Sequence, residues 1–127
     1  MLRDSPLVAF VATTQLERAR TFYESVLGLD VVHADGFACV VDAHGTTLRV
    51  TAVPERAPAA YTVLGWEVAD LEGEVDALVA RGVGFSRFEG MDQDDRGIWT
   101  APDGTRVAWF ADPDGNTLSL SEAPVGG

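Results

Sequence analysis

Gln15-Leu16-Glu17-Arg18-Ala19-Arg20-Thr21-Phe22-Tyr23-Glu24-Ser25-Val26-Leu27-Gly28 places Leu16, Ala19, Phe22, Tyr23, Val26 and Leu27 at helical spacing and stops at a glycine. Glycine suits the left-handed residue that closes a helix, and Thr14 stands where an N-terminal cap belongs. The stretch has a second copy. Asp70–Arg81 repeats the pattern with Leu71, Val75, Leu78 and Val79 on one face, and Gly82 follows it. Gln15-Leu16-Glu17 matches Asp70-Leu71-Glu72, and Gly45-Thr46-Thr47-Leu48 matches Gly115-Asn116-Thr117-Leu118. Two helices at matching places between matching ends imply a duplicated unit.

Outward from each helix the sequence reads as strand. Leu7–Thr13 precedes the first helix, and Leu29–Ala34, Phe37–Asp42 and Thr46–Val53 follow it, the last two joined by the Asp42-Ala43-His44-Gly45 turn. Pro54–Ala60, rich in proline and alanine, reads as a linker. Tyr61–Val68 precedes the second helix; Val83–Phe88, Arg106–Ala111 and Thr117–Ser121 follow it. The order is β-α-β-β-β, twice. From cap glycine to turn glycine the halves differ, 45 − 28 = 17 against 115 − 82 = 33, so the second half carries 16 additional residues. They fall at about 89–104, and a segment of that size forms either a functional loop or a decoration. The expectation is one α+β domain over 1–127, with module one at about 7–53, the linker at 54–60 and module two at about 61–122.

Composition narrows the function. The 127 residues include 20 acidic and 9 basic ones, a net charge of −11, and every basic residue is arginine. Such a surface repels phosphate backbones, which argues against nucleic acid as a partner. The absence of lysine removes Schiff-base chemistry. No apolar run has the roughly 20 residues that span a bilayer. Pro6 and Asp4 interrupt the N-terminus where a signal peptide would be apolar. A lone Cys39 cannot form an internal disulfide, so a cytoplasmic location is expected.

Leu16-Glu17-Arg18-Ala19 with Phe22-Tyr23 and Leu27-Gly28-Leu29, together with Asp112-Pro113-Asp114-Gly115-Asn116, resembles the vicinal oxygen chelate superfamily. That group includes glyoxalase I, extradiol dioxygenases, and fosfomycin- and bleomycin-resistance proteins. The resemblance runs from about Leu7 to Ser121. It implies paired βαβββ modules whose curved sheets form a cup around a central cavity, helices on the convex side. It also implies a divalent metal on the cup floor, held by His, Glu or Gln from the first and last strand of each module. Here those four positions are Val8, Arg49, Val63 and Ser119. Two valines offer no lone pair, a guanidinium repels a cation, and a neutral hydroxyl binds weakly. Neither a metal nor another cofactor is expected.

Alternation along the strands extends the assignment. If those four residues face the cup, so do Phe10, Ala12, Thr47, Thr51, Gly65, Glu67, Thr117 and Ser121, while Val11, Leu48, Val50, Leu64, Trp66, Val68, Leu118 and Leu120 face the helices. Arg49 is either a fork for an anionic ligand group or an internal partner of Glu67. A four-residue loop Pro113–Asn116 would pair Phe110 with Ser119 and give Phe110 to the cavity. Trp99, in the added segment, is either an aromatic lid over a ligand or an anchor for its own loop. The candidate ligand-binding set is Arg49, Glu67, Phe10, Trp99, Phe110 and Ser119. His33 and His44 show no spacing that would bring them together, and Asp92-Gln93-Asp94-Asp95 reads as a solvated acidic loop. The functional expectation is a metal-independent protein that sequesters or senses a small organic molecule, as the bleomycin-resistance branch does, and that forms a homodimer. The alternative is a glyoxalase-type lyase or an extradiol-dioxygenase-like enzyme.

Overall fold

Apolar residues at every second strand position need a surface to cover them, and in each half of the chain one helix supplies it. The structure is a computed structural model, described here over residues 2–55 and 61–125. It is α+β and divides into two compact units, 1–58 and 59–127. Residues 56–60 of the expected linker lie outside the described residues.

In the first unit β1 (Val8–Thr13), α1 (Leu16–Thr21), β2 (Asp30–Ala34), β3 (Ala38–Ala43) and β4 (Thr46–Ala52) follow in turn. The sheet order is β1-β4-β3-β2, with β1 parallel to β4 and the other pairs antiparallel. Val11, Leu48, Val50, Cys39 and Val41 are buried on one face against Ala19, Phe22 and Tyr23. Each such aliphatic side chain contributes roughly 1.5–3 kcal/mol on burial.

Thr14 is not the cap of α1. Gln15 occupies that position and makes no side-chain cap bond. After Thr21 the helix widens into a π-turn over Phe22–Val26, closed by the Leu27 N–H donating to the Phe22 carbonyl at 3.0 Å. A π-turn lets two adjacent residues share one face. Phe22 and Tyr23 both enter the core, their rings perpendicular at 5.3 Å. His44 (φ 51°) and Gly45 (φ 91°) then form the two-residue turn of the β3–β4 hairpin, the left-handed pair such turns favour.

The second unit repeats the plan with β5 (Leu64–Glu67), α2 (Leu71–Ala80), β6 (Trp99–Thr100), β7 (Arg106–Ala111) and β8 (Thr117–Glu122), in sheet order β5-β8-β7-β6. Leu118, Leu120, Ala108 and Phe110 are buried with Leu71, Val75 and Leu78. Asp70 caps α2, its carboxylate accepting from the Gly73 N–H. No helix among the described residues is long and apolar enough to cross a membrane.

The expected strand Val83–Phe88 forms only in part. Phe85 bridges Phe110 and the Ser86 N–H donates to the Trp109 carbonyl, after which the chain leaves the sheet and returns at Trp99, opposite Val107. The chain therefore occupies one strand position along β7 in two pieces, and the excursion between them spans 87–98. Gln93 holds it shut. Its Oε1 accepts from the Phe88 N–H at 2.8 Å, and its Nε2 donates to the Ser86 and Gly97 carbonyls at 3.0 and 2.8 Å. Arg96 then ties the excursion to α2 through a two-point contact with Asp76.

Gln93→Ala strands three backbone groups and is expected to cost about 1–3 kcal/mol in chemical denaturation, with amide exchange accelerating first across 87–98. In the first unit the Thr51 hydroxyl is buried without a hydrogen-bond partner, its strand neighbours being Ala12 and Ala38. Thr51→Val removes that unpaired group and is expected to raise stability by up to about 1 kcal/mol, read from the urea midpoint.

Candidate functional site

Each sheet has a second face, turned away from its helix, and these two faces carry the polar and aromatic residues that the cores exclude. In the first unit strand register builds a row across that face. Phe10 pairs with Arg49, Arg49 with Val40, and Val40 with His33. Directly paired residues project from the same side of a sheet, so all four share the face. Phe10 is 63% exposed. Arg49 is half-buried and forms no ion pair or side-chain hydrogen bond with a described residue of its own unit. Val8 pairs with Thr47, one step along from Arg49.

His33, set aside on spacing alone, stands at the end of this row because a bulge between Val31 and His33 shifts the register of β2. Its Nε2 lies 3.1 Å from an oxygen of Asp35. Asp35 Oδ1 accepts from the Phe37 and Ala38 N–H groups at 2.8 and 3.0 Å. Those backbone donors, then His33, lower the Asp35 carboxyl to about 2. Cys39 lies on the helix side of the same sheet, 2% exposed, and burial raises its thiol above the ordinary value. A protonated, enclosed thiol is a poor nucleophile.

The second unit holds a more enclosed feature. Ser119 pairs with Gly65 on one side and Trp109 on the other. A methyl group on Gly65 would lie 2.7 Å from the Ser119 hydroxyl, so glycine leaves that hydroxyl its place over β5. Trp109, half-buried, meets Phe88 edge-to-face at 5.4 Å and Trp99 at 6.2 Å. Beside it opens a recess of about 430 Å³ lined by Tyr61, Thr62, Phe88, Met91, Trp109 and Thr117. None of the six carries a carboxylate, imidazole, ammonium or guanidinium group. Glu67 is exposed at the end of β5, paired with Ser121.

Phe110 is not on this face. Ala111, not Asp112, pairs with Thr117, so the connecting loop has five residues (112–116) where four were expected. That one-residue difference exchanges Phe110 with its neighbour. Phe110 pairs with Leu118, is fully buried and packs against Phe85, and Trp109 takes the place beside Ser119. Trp99 is part of β6 and supports Trp109 from the neighbouring position.

The family model of the Glyoxalase/Bleomycin resistance protein/Dioxygenase superfamily matches residues 6–120. The chain belongs to that superfamily. Among solved structures it is similar to a glyoxalase/bleomycin resistance protein/dioxygenase from Alicyclobacillus acidocaldarius, at 17% identity and a TM-score of 0.73 over 94% of this chain and 92% of that one. A superfamily member from Sphaerobacter thermophilus is 25% identical, with a TM-score of 0.71 over 92% and 95%. A lactoylglutathione lyase from Agrobacterium tumefaciens is 16% identical, with a TM-score of 0.71 over 93% and 92%. At such identities the solved structures speak for the fold. No curated protein matches the chain.

The superfamily's divalent metal calls for carboxylate or imidazole donors on the first and last strands of each module. On the faces in question β1 and β4 offer Val8, Phe10, Thr47, Arg49 and Thr51, and β5 and β8 offer Gly65, Glu67, Thr117, Ser119 and Ser121. Neither set fits such an ion, the first offering a guanidinium and two hydroxyls and the second a single carboxylate among hydroxyls. Among the described residues no three His, Cys, Asp or Glu side chains gather as a ligand set.

Because the folded carboxyl of Asp35 titrates below its ordinary value, its support for the 35–38 turn is present above about pH 4 and is lost as pH falls through about 2. The Phe37 and Ala38 amide resonances are expected to titrate together with a midpoint near 2, and Asp35→Asn is expected to remove that transition.

Proposed function

We propose that this superfamily member binds a small organic molecule without a metal, sequestering or sensing it as the bleomycin-resistance branch does. The observation that carries the reading is the recess beside Trp109, with Phe88, Tyr61 and Met91 supplying aromatic and sulfur surface and Thr62 and Thr117 supplying hydroxyls. Small-molecule sites commonly combine an apolar wall with a few placed polar groups in a volume of roughly 300–1,000 Å³. A flat ring stacking on Trp109 gains dispersion and quadrupole attraction, and the hydroxyls, with Ser119 beside them, choose its orientation. Trp99 contributes by holding the Trp109 plane.

Taken by itself, the first module's sheet suits a ligand group of different chemistry. Arg49 lacks a carboxylate partner in its own unit and has the Phe10 ring next to it, which suits an anionic group attached to an apolar one. Such a charge-assisted contact contributes about 1.5–3 kcal/mol. A homodimer accompanies this reading: β1 is an edge strand, and Leu7, Val8 and Phe10 along it are exposed. The buried, free Cys39 suits a reducing cytoplasm.

Native mass spectrometry of the purified chain tests these statements together. It is expected to give a dimer mass and a retained small molecule, and elemental analysis is expected to give no transition metal. One Zn, Fe, Ni or Mn per chain after mild purification would sink the metal-free reading. For the retained molecule, or an aromatic compound found by quenching of tryptophan emission, Trp109→Ala is expected to weaken binding roughly ten- to a hundredfold. Phe110→Leu, in the core, is expected to lower stability and leave affinity unchanged. Binding indifferent to Trp109→Ala would move the site elsewhere.

A further inference from the structure

The excursion 87–98 has an effect on the helix side of its own unit, away from the Trp109 recess. Between it and α2 lies a second recess, of about 380 Å³. Its floor is apolar, formed by Val75, Val79 and Phe85. Val79 is 53% exposed there, whereas Val75 and Leu78 of the same helix are covered. An exposed valine at the mouth of a concave, partly apolar surface is area that a ligand would remove from water.

The polar wall consists of two guanidiniums and two aspartates, Arg87, Arg96, Asp76 and Asp95. Arg96 and Asp76 engage each other, Nε to Oδ1 at 2.9 Å and Nη2 to Oδ2 at 3.0 Å. The other two do not form such a pair. Arg87 donates from Nη2 to the backbone carbonyl of Asp95 at 2.7 Å, and among the described residues no carboxylate pairs with it. The Asp95 carboxylate likewise has no cationic partner among the described residues. The carbonyl contact keeps Arg87 and Asp95 adjacent while leaving each with unused hydrogen-bonding capacity.

A single anion entering here meets Asp95, and a single cation meets Arg87. The ligand whose charges complement both is one that carries both. We propose that this recess binds a small zwitterion with an apolar side chain, the chemistry of a free hydrophobic α-amino acid. The ligand carboxylate bonds to Arg87, the ammonium to Asp95, and the side chain lies on Val79 and Phe85. The added residues thereby have a function independent of the Trp109 recess.

The test is an NMR titration of the full-length 15N,13C-labelled protein with L-phenylalanine, 3-phenylpropanoate and 2-phenylethylamine, each up to about ten millimolar. L-phenylalanine is expected to shift Val75, Val79 and Phe85 while the Trp109 indole stays in place. The analogues lacking the ammonium or the carboxylate are each expected to bind at least about tenfold more weakly. Arg87→Gln and Asp95→Asn are each expected to reduce L-phenylalanine binding by a similar factor. Both residues are exposed, and Asp95→Asn keeps the carbonyl that Arg87 uses, so circular dichroism and the thermal midpoint should be unchanged. No shifts, shifts confined to the Trp109 region, equal binding of either analogue, or indifference to both substitutions would each overturn the proposal.

Discussion

The side chain of Asp112 determines which face the second module presents. Its Oδ1 accepts from the N–H groups of Asp114 and Asn116, both at 2.9 Å, and its Oδ2 accepts from the Asn116 amide at 2.8 Å. Asp112 is 5% exposed, and leaving a buried donor without its partner costs about 1–3 kcal/mol. Together these hydrogen bonds fix a five-residue loop whose flanking pair is Ala111 and Thr117. Side-chain direction alternates strictly, so this pairing decides every position behind it: Phe110 is buried beneath α2 and Trp109 stands beside Ser119. A loop one residue shorter would bury the indole and present a phenyl ring. The aromatic recess, with its edge-to-face contact from Phe88 and the support of Trp99, follows from the geometry of that turn.

This is also where the amino-acid sequence was least legible. Asp-Pro-Asp-Gly-Asn announces a turn, and Gly115 (φ 84°) takes the left-handed conformation such turns use. The motif does not state how many residues stand outside the ladder, because Asp112 carries strand-like context on one side and caps the turn on the other. The helix ends were legible for the opposite reason. Gly28 (φ 74°) and Gly82 (φ 93°) adopt a conformation that β-carbons disfavour, so the residue type reports the geometry directly. The parity of Val11, Leu48, Val50, Leu118 and Leu120 was legible because burial enforces it. The π-turn at Phe22 was not. Both its aromatics fit an α-helical face closely enough, and only their simultaneous burial reveals the wider turn. Val83–Phe88 reads as a strand throughout because nothing in its composition marks the point at which it leaves β7.

The first module shows a different limit. Arg49 was legible as an unusual residue at a strand position that faces away from the core, and the structure places it there, half-buried beside Phe10. His33 was not legible as its neighbour on that face. Spacing places it on a short strand, and only the bulge in β2 sets it opposite Val40 and in the row with Arg49. Asp35 then engages the imidazole while its other oxygen is held by two backbone N–H groups. A shift of one residue in an edge strand is invisible to periodicity, since edge strands bury little and tolerate either register.

Membership of a superfamily that spans lyases, dioxygenases and resistance proteins determines the backbone and leaves the chemistry to individual side chains. Coordination requires several lone pairs, and valine, arginine and serine at Val8, Arg49, Val63 and Ser119 supply few of them. Stacking requires a rigid ring held by its neighbours, and Phe88, Trp99 and Trp109 meet that condition within one module. The excursion contributes to both sides of its sheet, because the residues that support Trp109 and those that bind to α2 belong to one continuous segment closed by Gln93. Opening it would loosen the Phe88 wall on one face and separate Arg96 from Asp76 on the other. Gln93 therefore holds in place one wall of each recess, while the ligands proposed for them differ in charge and shape.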